Sequence, residues 1–203
     1  MQPSNMTYQL YGEEKANLIA ERLIQISPEF NYFAQTVGFD IFWALPGLSL
    51  LDKSLVTVAS LIAMGKEEQT RIHMYGFLHA GGNPSTLIGI AYLVDNLYPG
   101  KQMGAMLKII TDVMHEHKVD DTHIEKLFNE NNTQHLSTRE QCIISLAAAV
   151  AACDKPQIKC RIQESINAGL LDVIKHVFTH QIVYCGFPTA MDAFIALHQV
   201  LND

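Results

Sequence analysis

The chain has 203 residues, of which 48% are hydrophobic, and a formal net charge of −7. This length suits one domain or two closely packed repeats, the hydrophobic fraction excludes a disordered chain, and the scattered basic residues disfavour nucleic acid as a partner. The longest apolar stretch, residues 142–153, is shorter than the ~20 residues that span a bilayer, and the first residues lack the pattern of a signal peptide. We therefore expect a cytoplasmic protein without a membrane partner.

Residues 1–48 form the first predicted segment, which consists of helices. Apolar residues recur at helical spacing over residues 13–27. The Ser-Pro pair at 27–28 combines an N-cap residue with proline at the first helical position, and it predicts the start of another helix. The Pro-Gly pair at 46–47 ends that helix.

Residues 49–118 form the second segment, with four predicted helices. Ser49 and Asp52 have the spacing of a capping box, which favours a helix that starts here. Gly65 ends this helix, and the next one ends at the Gly-Gly pair at 81–82, where glycine adopts the left-handed cap without strain. Two more helices follow before residue 118.

Residues 119–136 are polar, with Asn131-Asn132 near their middle, and predict mainly a connector. Residues 137–203 return to apolar helices, and Ser137 with Glu140 again has the spacing of a capping box. No segment alternates apolar and polar residues as a strand does, so the predicted fold class is all-α.

An internal repeat relates the second segment to the last. Aligning Gly81 with Gly169 gives an offset of 169 − 81 = 88 residues, and the same offset pairs Ser49 with Ser137. Both segments then contain a capped apolar helix, a short break and a second helix that ends in Ala-Gly. We predict two tandem helical repeats, 49–118 and 137–203, which pack as one helical bundle because neither buries its apolar face alone.

The repeats carry motifs of a known family. Repeat 1 contains FWALPGLSLLDKSLVTVASLIAMG, then the Gln-x-x-x-His of Gln69 to His73, and then the Ala-Gly helix end. Repeat 2 contains THQIVYCGFP, which is similar to a His-x-x-x-Tyr-x-Gly-x-Pro signature. Together these segments resemble the carboxymuconolactone decarboxylase family in its two-repeat form, a family that also contains the alkylhydroperoxidase D type proteins. The resemblance covers residues 42–97 and 137–201.

This resemblance implies an all-helical alkylhydroperoxidase D-like fold, homo-oligomers such as trimers or hexamers, and pockets between helices near subunit contacts. It also implies one of two activities. The first is decarboxylation of a carboxylated muconolactone. The second is thiol-dependent peroxide reduction, which uses a CxxC pair four residues ahead of the family histidine.

The sequence lacks the residues for the second chemistry. The positions for the CxxC pair hold Lys66 and Gln69 in repeat 1 and Asp154 and Gln157 in repeat 2. The position of the acidic proton-relay residue holds Ser54 or Cys142. The four cysteines are Cys142, Cys153, Cys160 and Cys185, and none forms a CxxC pair. Peroxidase activity by the family mechanism is therefore not expected.

Five residues are the candidates for a site. By its position in the resemblance His73 is the catalytic proton donor, because the pKa of histidine lies near neutrality. Arg161 stands at the equivalent position of repeat 2 and can bind a carboxylate through two hydrogen bonds. The other candidate binding residues are Lys53, His180 and Tyr184.

We expect neither a metal nor a cofactor. His176 and His180 are four residues apart and can share one helix face, but zinc needs at least a third protein ligand. A polar pocket lining or helix packing explains this pair better.

Three functions remain open from the sequence. The first is acid–base chemistry on a small carboxylated metabolite, of the lactone decarboxylation type. The second is a peroxidase that uses a thiol other than the family pair. The third is a non-catalytic helical oligomer that binds a small molecule or a partner. A pocket with polar or cationic residues around His73 would favour the first.

Overall fold

The computed structural model describes residues 2–100, 103–129 and 135–202. Eleven α-helices and one π-helix make up these parts, and no strand occurs in them, which confirms the all-α bundle. The helices are α1 Asn5–Tyr11, α2 Glu13–Ile26, α3 Pro28–Phe33, the π-helix Ala34–Trp43, α4 Leu50–Ala63, α5 Glu67–His79, α6 Pro84–Leu97, α7 Met103–Glu116, α8 Asp121–Asn129, α9 Thr138–Ala151, α10 Lys155–Asn167 and α11 Leu171–Asn202.

The N-terminal segment differs from the prediction in one respect. Ser27 caps α3 as expected, and its side chain accepts a hydrogen bond from the backbone of Phe30. The helix then continues as a π-helix of ten residues rather than as a regular α-helix. A π-helix has a wider turn and is frequent at functional sites. The buried amide of Gln35 fixes its first turn by accepting hydrogen bonds from the Ser4 backbone and the Thr7 hydroxyl.

Helices α4 and α9 pack against each other at the centre of the bundle. Both begin with a complete capping box, Ser49 with Asp52 and Ser137 with Glu140, as the sequence predicts. Almost every residue of α4 after Leu51, and of α9 after Cys142, is buried. The other helices bury their apolar faces around this pair.

The elements of the two predicted repeats correspond in length and position. Helices α4 and α9 have 14 residues each, and α5 and α10 have 13 each, with bounds that differ by 88 residues. The turn after the first helix contains Gly65 with φ 69° in one repeat and Cys153 with φ 55° in the other. This correspondence supports the duplication, which stays a prediction.

The last part of the chain contains two further features. Residues 121–129 of the predicted connector form helix α8, whereas Asn131-Asn132 lie outside the described residues. Helix α11 changes direction at Gly186, whose φ of 78° is a conformation that glycine adopts without strain. Pro188 follows, so the expected helix end at Gly186 is present as a break within α11. In the described parts, none of the helices is both long and apolar enough to cross a membrane.

The two capping boxes give a test of this central pair. Replacing Ser49 or Ser137 with alanine removes the side-chain acceptor for the backbone N–H at the third helical position. We expect each substitution to lower the free energy of unfolding by about 1 kcal/mol, measured by urea denaturation. Thr122→Ala on the exposed surface of α8 is the control and should change stability by less than about 0.5 kcal/mol. Wild-type stability in both serine variants would contradict a stabilising role of these two N-cap side chains.

Candidate functional site

The side chain of Trp43 connects the residues of the candidate site. It is the only tryptophan of the chain, it ends the π-helix, and it is 1% exposed. Its indole ring stacks on the imidazole of His73, with 7° between the planes and 5.9 Å between the centroids. Its Nε1 donates a hydrogen bond of 2.8 Å to the Tyr184 hydroxyl oxygen. One side chain therefore joins the N-terminal segment to α5 and α11.

His73 extends from α5 and faces Tyr11 of α1. The Tyr11 hydroxyl lies 3.0 Å from Nδ1 of His73, and Nε2 has no hydrogen-bond partner among the described residues. Gly76 makes this approach possible, because a Cβ atom there would lie 2.7 Å from the Tyr11 ring. Burial lowers the pKa of His73 to about 3, so the free imidazole is neutral at physiological pH.

His180 and Tyr184 lie one turn apart on α11. The His180 ring meets Trp43 edge to face at 4.9 Å, and its Nε2 lies 3.0 Å from the Thr57 hydroxyl of α4. The Thr57 side chain also acts on Tyr184, where it opposes the rise in the pKa of this tyrosine. Burial lowers the pKa of His180 to about 3, with smaller contributions from the charges of Lys53 and His73. Burial raises the pKa of Tyr184, which is a neutral phenol.

Lys53 lies on α4 beneath the end of the π-helix and is 6% exposed. Its ammonium donates hydrogen bonds to the backbone oxygens of Trp43, at 2.6 Å, and Leu45, at 2.5 Å. A cation suits the carbonyl end of a helix, where backbone oxygens lack intrahelical partners. Burial lowers the pKa of Lys53. This lysine therefore fixes the backbone position of Trp43.

A cavity of about 490 Å³ opens beside this cluster, and we call it the His73 cavity. Its volume is in the range of small-molecule sites. Its lining consists of Phe30, Phe33, Ala34, Val37, Gly38, Phe39, Phe42, Trp43, His73, Ile182, Val183, Tyr184 and Phe187. His73 and Tyr184 are the titratable residues of this lining, and the rest is mainly aromatic and aliphatic. The cavity suits a small molecule with an apolar ring.

The structure brings together four of the five predicted site residues. His73, His180 and Tyr184 surround Trp43, and Lys53 binds its backbone. Arg161 lies elsewhere, on α10, where its guanidinium binds Glu164 at 2.7 Å and Gln157 at 3.1 Å. It does not line the His73 cavity.

Three residues of the cluster were not predicted. Tyr11 lies in the first helix, far from any motif, and only the fold brings it to His73. Thr57 lies one turn after Lys53 in the otherwise apolar helix α4. Two polar residues at this spacing in an apolar helix indicate a buried polar contact. Trp43 is the only tryptophan of the chain and lies within the motif FWALPGLSLLDKSLV. This position was the signal by which the sequence could have pointed to it.

No group of three or more histidine, cysteine or acidic residues that could bind a metal occurs in residues 2–100, 103–129 and 135–202. His176 and His180 share α11, and His180 uses Nε2 for Thr57.

Comparison with known proteins matches part of the chain to a protein family. Residues 28–95 match the model of the carboxymuconolactone decarboxylase family. They include Trp43, Lys53 and His73 of the site, whereas His180 and Tyr184 lie outside the matched range.

A curated relative within this family is the 4-carboxymuconolactone decarboxylase of Acinetobacter baylyi. The chain is 32% identical to it over 73 residues, which are 36% of this chain. The match spans about half of that protein, 54% of its length.

The two buried histidines predict a pH dependence of stability. Their pKa values are about 3 in the folded protein, against about 6.5 in an unfolded chain. As the pH falls below about 6.5, the unfolded state binds protons that the folded state does not, so stability decreases towards pH 3. We expect the double variant His73→Gln/His180→Gln to lose less stability than the wild type between about pH 6.5 and pH 4, measured by urea denaturation.

His123→Gln on exposed α8 is the control for this comparison and should keep the wild-type slope. An unchanged slope in the double variant would mean that the two histidines titrate alike in both states.

Proposed function

We propose that the His73 cavity binds a small carboxylated metabolite with an apolar body, and that His73 gives a proton to carbon after loss of carbon dioxide. One observation carries this proposal. A desolvated imidazole, hydrogen-bonded through Nδ1 to Tyr11, has its other ring nitrogen free beside a cavity of ring-molecule size. Such an imidazole can accept a proton and pass it on.

Binding of the carboxylate leads His73 to take up the proton for this step from solvent. The lining of the His73 cavity contains no lysine or arginine, so the imidazolium of His73 is the counterion that the carboxylate can find there. A nearby negative charge favours the protonated imidazole and opposes the effect of burial on the pKa of His73. The complex therefore takes up one proton from solvent.

The chemical step then uses this ion pair. The bond between the ring carbon and the carboxyl carbon breaks, carbon dioxide leaves, and the electron pair spreads over the conjugated lactone. His73 transfers its proton to carbon and returns to the neutral state. Apolar walls disfavour a localised carboxylate more than the spread charge of the transition state, which lowers the barrier. Overall, one carboxylate and one proton give one C–H bond and carbon dioxide.

The comparisons support this choice of chemistry. Residues 28–95, which match the model of the carboxymuconolactone decarboxylase family, contain His73 and Trp43. The Acinetobacter baylyi relative is named as a decarboxylase of 4-carboxymuconolactone. The substrate of the present chain is proposed by analogy with that name.

The alternative functions find less support in the geometry. No cysteine lines the His73 cavity, and burial, with a smaller effect of Cys153, raises the pKa of Cys185 to about 11. A thiolate nucleophile is therefore disfavoured at Cys185. The apolar lining does favour a second candidate, a protein that binds a neutral ring compound without catalysis. Four free thiols also suit the reducing cytoplasm, which is our proposed location.

Turnover of 4-carboxymuconolactone tests the proposed function. We expect the wild type to release carbon dioxide with a change in ultraviolet absorbance. His73→Gln should lower kcat by roughly 10²–10⁴, the usual contribution of a positioned acid. His123→Gln, an exposed histidine away from the cavity, should keep wild-type kcat.

Two results would contradict this function. Equal turnover by wild type and His73→Gln would exclude His73 as the proton donor. Absence of turnover, together with binding of the uncharged ring compound γ-butyrolactone that quenches Trp43 fluorescence, would favour the non-catalytic candidate.

We also propose that the chain forms a homo-oligomer that covers the rim of the His73 cavity. Phe30, Phe33 and Phe187 line this cavity and are 57%, 60% and 69% exposed. Large exposed apolar side chains that cluster in this way are typical of an interface between proteins. A second copy would bury them and exclude water from the bound metabolite.

Substitution of the rim tests this assembly. We expect Phe33→Glu/Phe187→Glu to shift the protein to monomers in sedimentation velocity, because burying two carboxylates without partners is costly. Leu18→Glu, an exposed apolar residue of α2 that does not line this cavity, is the control. A monomeric wild type, or an oligomer that the double variant retains, would contradict an interface at this rim.

A further inference from the structure

A second, smaller cavity is lined by Lys53 and His180 of the cluster around Trp43, and we call it the Lys53 cavity. Its volume is about 150 Å³, and Phe42 belongs to the lining of both cavities. The lining consists of Phe42, Leu45, Pro46, Leu48, Lys53, His176, Thr179 and His180. Three of these residues, Lys53, His176 and His180, carry nitrogen donors or acceptors, so this cavity differs in chemistry from the His73 cavity.

Lys53 brings a positive charge to this cavity without a negative partner. Its ammonium has three N–H donors, and two of them bind the backbone oxygens of Trp43 and Leu45. No carboxylate contacts it among the described residues. Carbonyl dipoles stabilise the ammonium but do not cancel its charge, and a buried charge normally has a counterion.

His180 brings a second group without a partner. Its Nδ1 atom is buried and makes no hydrogen bond within the described residues, while Nε2 lies 3.0 Å from the Thr57 hydroxyl. The side chain is 2% exposed. A buried ring nitrogen without a partner is uncommon in folded proteins and needs an explanation.

The neighbouring polar groups are compatible with a proton on Nδ1 of His180. The indole N–H of Trp43 can only donate, so the Tyr184 oxygen accepts it and the phenol proton is available for Thr57. The Thr57 proton is then available for Nε2 of His180, which leaves the imidazole proton on Nδ1. In this arrangement of hydrogen bonds, Nδ1 of His180 is a buried donor.

The wall opposite α11 is fitted closely to His176. Gly47 has φ 100°, and a Cβ atom there would lie 2.3 Å from the His176 ring. The loop between the π-helix and α4 therefore packs on His176 through backbone atoms. His176 lies one turn before His180, so both rings lie on the same side of α11 and line the cavity.

We propose that the Lys53 cavity binds a small planar oxyanion, a carboxylate or bicarbonate, through the Lys53 ammonium and the Nδ1 donor of His180. An unpaired buried cation and an unpaired buried donor then each gain an acceptor. A volume of 150 Å³ corresponds to about five water molecules at ~30 Å³ each, enough for an anion of about four heavy atoms. The site is separate from the His73 chemistry and does not depend on it.

Titration with acetate, bicarbonate and uncharged acetamide tests this site in the full chain. The readout is the ¹⁵N resonance of His180 Nδ1 in histidine-labelled protein, assigned with His180→Gln. We expect a saturable shift with acetate and with bicarbonate, and no saturable shift with acetamide. Tighter binding of acetate than bicarbonate would assign the site to carboxylic acids, and the reverse order would assign it to bicarbonate.

Matched lysine variants locate the anion. Lys53→Met should weaken binding at least tenfold, whereas Lys175→Met, an exposed lysine of α11, should leave it unchanged. Because Lys53 also binds two backbone oxygens, circular dichroism is used to check that the Lys53→Met protein is folded like the wild type. His176→Leu changes the cavity wall and the ring on which Gly47 packs, and it should weaken binding severalfold.

The outcomes separate this site from the proposed function. Binding of acetate that persists in His73→Gln, with turnover lost, supports two independent sites. Shifts that never saturate, an equal response to acetamide, or unchanged binding in His176→Leu and in folded Lys53→Met would overturn the oxyanion site. If Lys53→Met does not fold, two results decide whether the oxyanion site exists. They are saturable binding of acetate by the wild type and the change of this binding in His176→Leu.

Discussion

The position of Trp43 is the constraint on which both cavities depend. Its carbonyl oxygen accepts from Lys53, its indole N–H donates to Tyr184, and one ring face lies on His73. Each contact comes from a different helix, so no single helix determines where the indole lies. Displacing the indole would remove part of the wall of the His73 cavity, and displacing the Trp43 backbone would remove one of the two carbonyl acceptors of Lys53.

Local signals in the sequence were sufficient for most of the fold. Serine caps, the Pro at position 28 and the glycines at 65, 81 and 186 act within one or two helical turns, and the structure has helix ends or breaks at each. The π-helix was not predictable in this way. Its ten residues have the composition of an ordinary apolar helix, and the lysine beneath its last turn comes from a later helix.

The candidate site was predictable only where a motif marked its residues. His73, His180 and Tyr184 were found through motif positions, and the structure places all three around one indole. Arg161 was proposed by the offset of 88 residues, and this offset explains why it lies elsewhere: it occupies in α10 the place that His73 occupies in α5. Tyr11 carried no signal, because 62 residues separate it from His73.

The division of the site between distant parts of the chain has a consequence for its biosynthesis. Trp43 and Tyr184 are 141 residues apart, and α11 supplies one wall of each cavity. A nascent chain that has emerged from the ribosome only as far as α10 presents Trp43 and the Lys53 ammonium without that wall. Such a chain has the matched family segment complete, yet it exposes an apolar surface that chaperones recognise until the last helix docks.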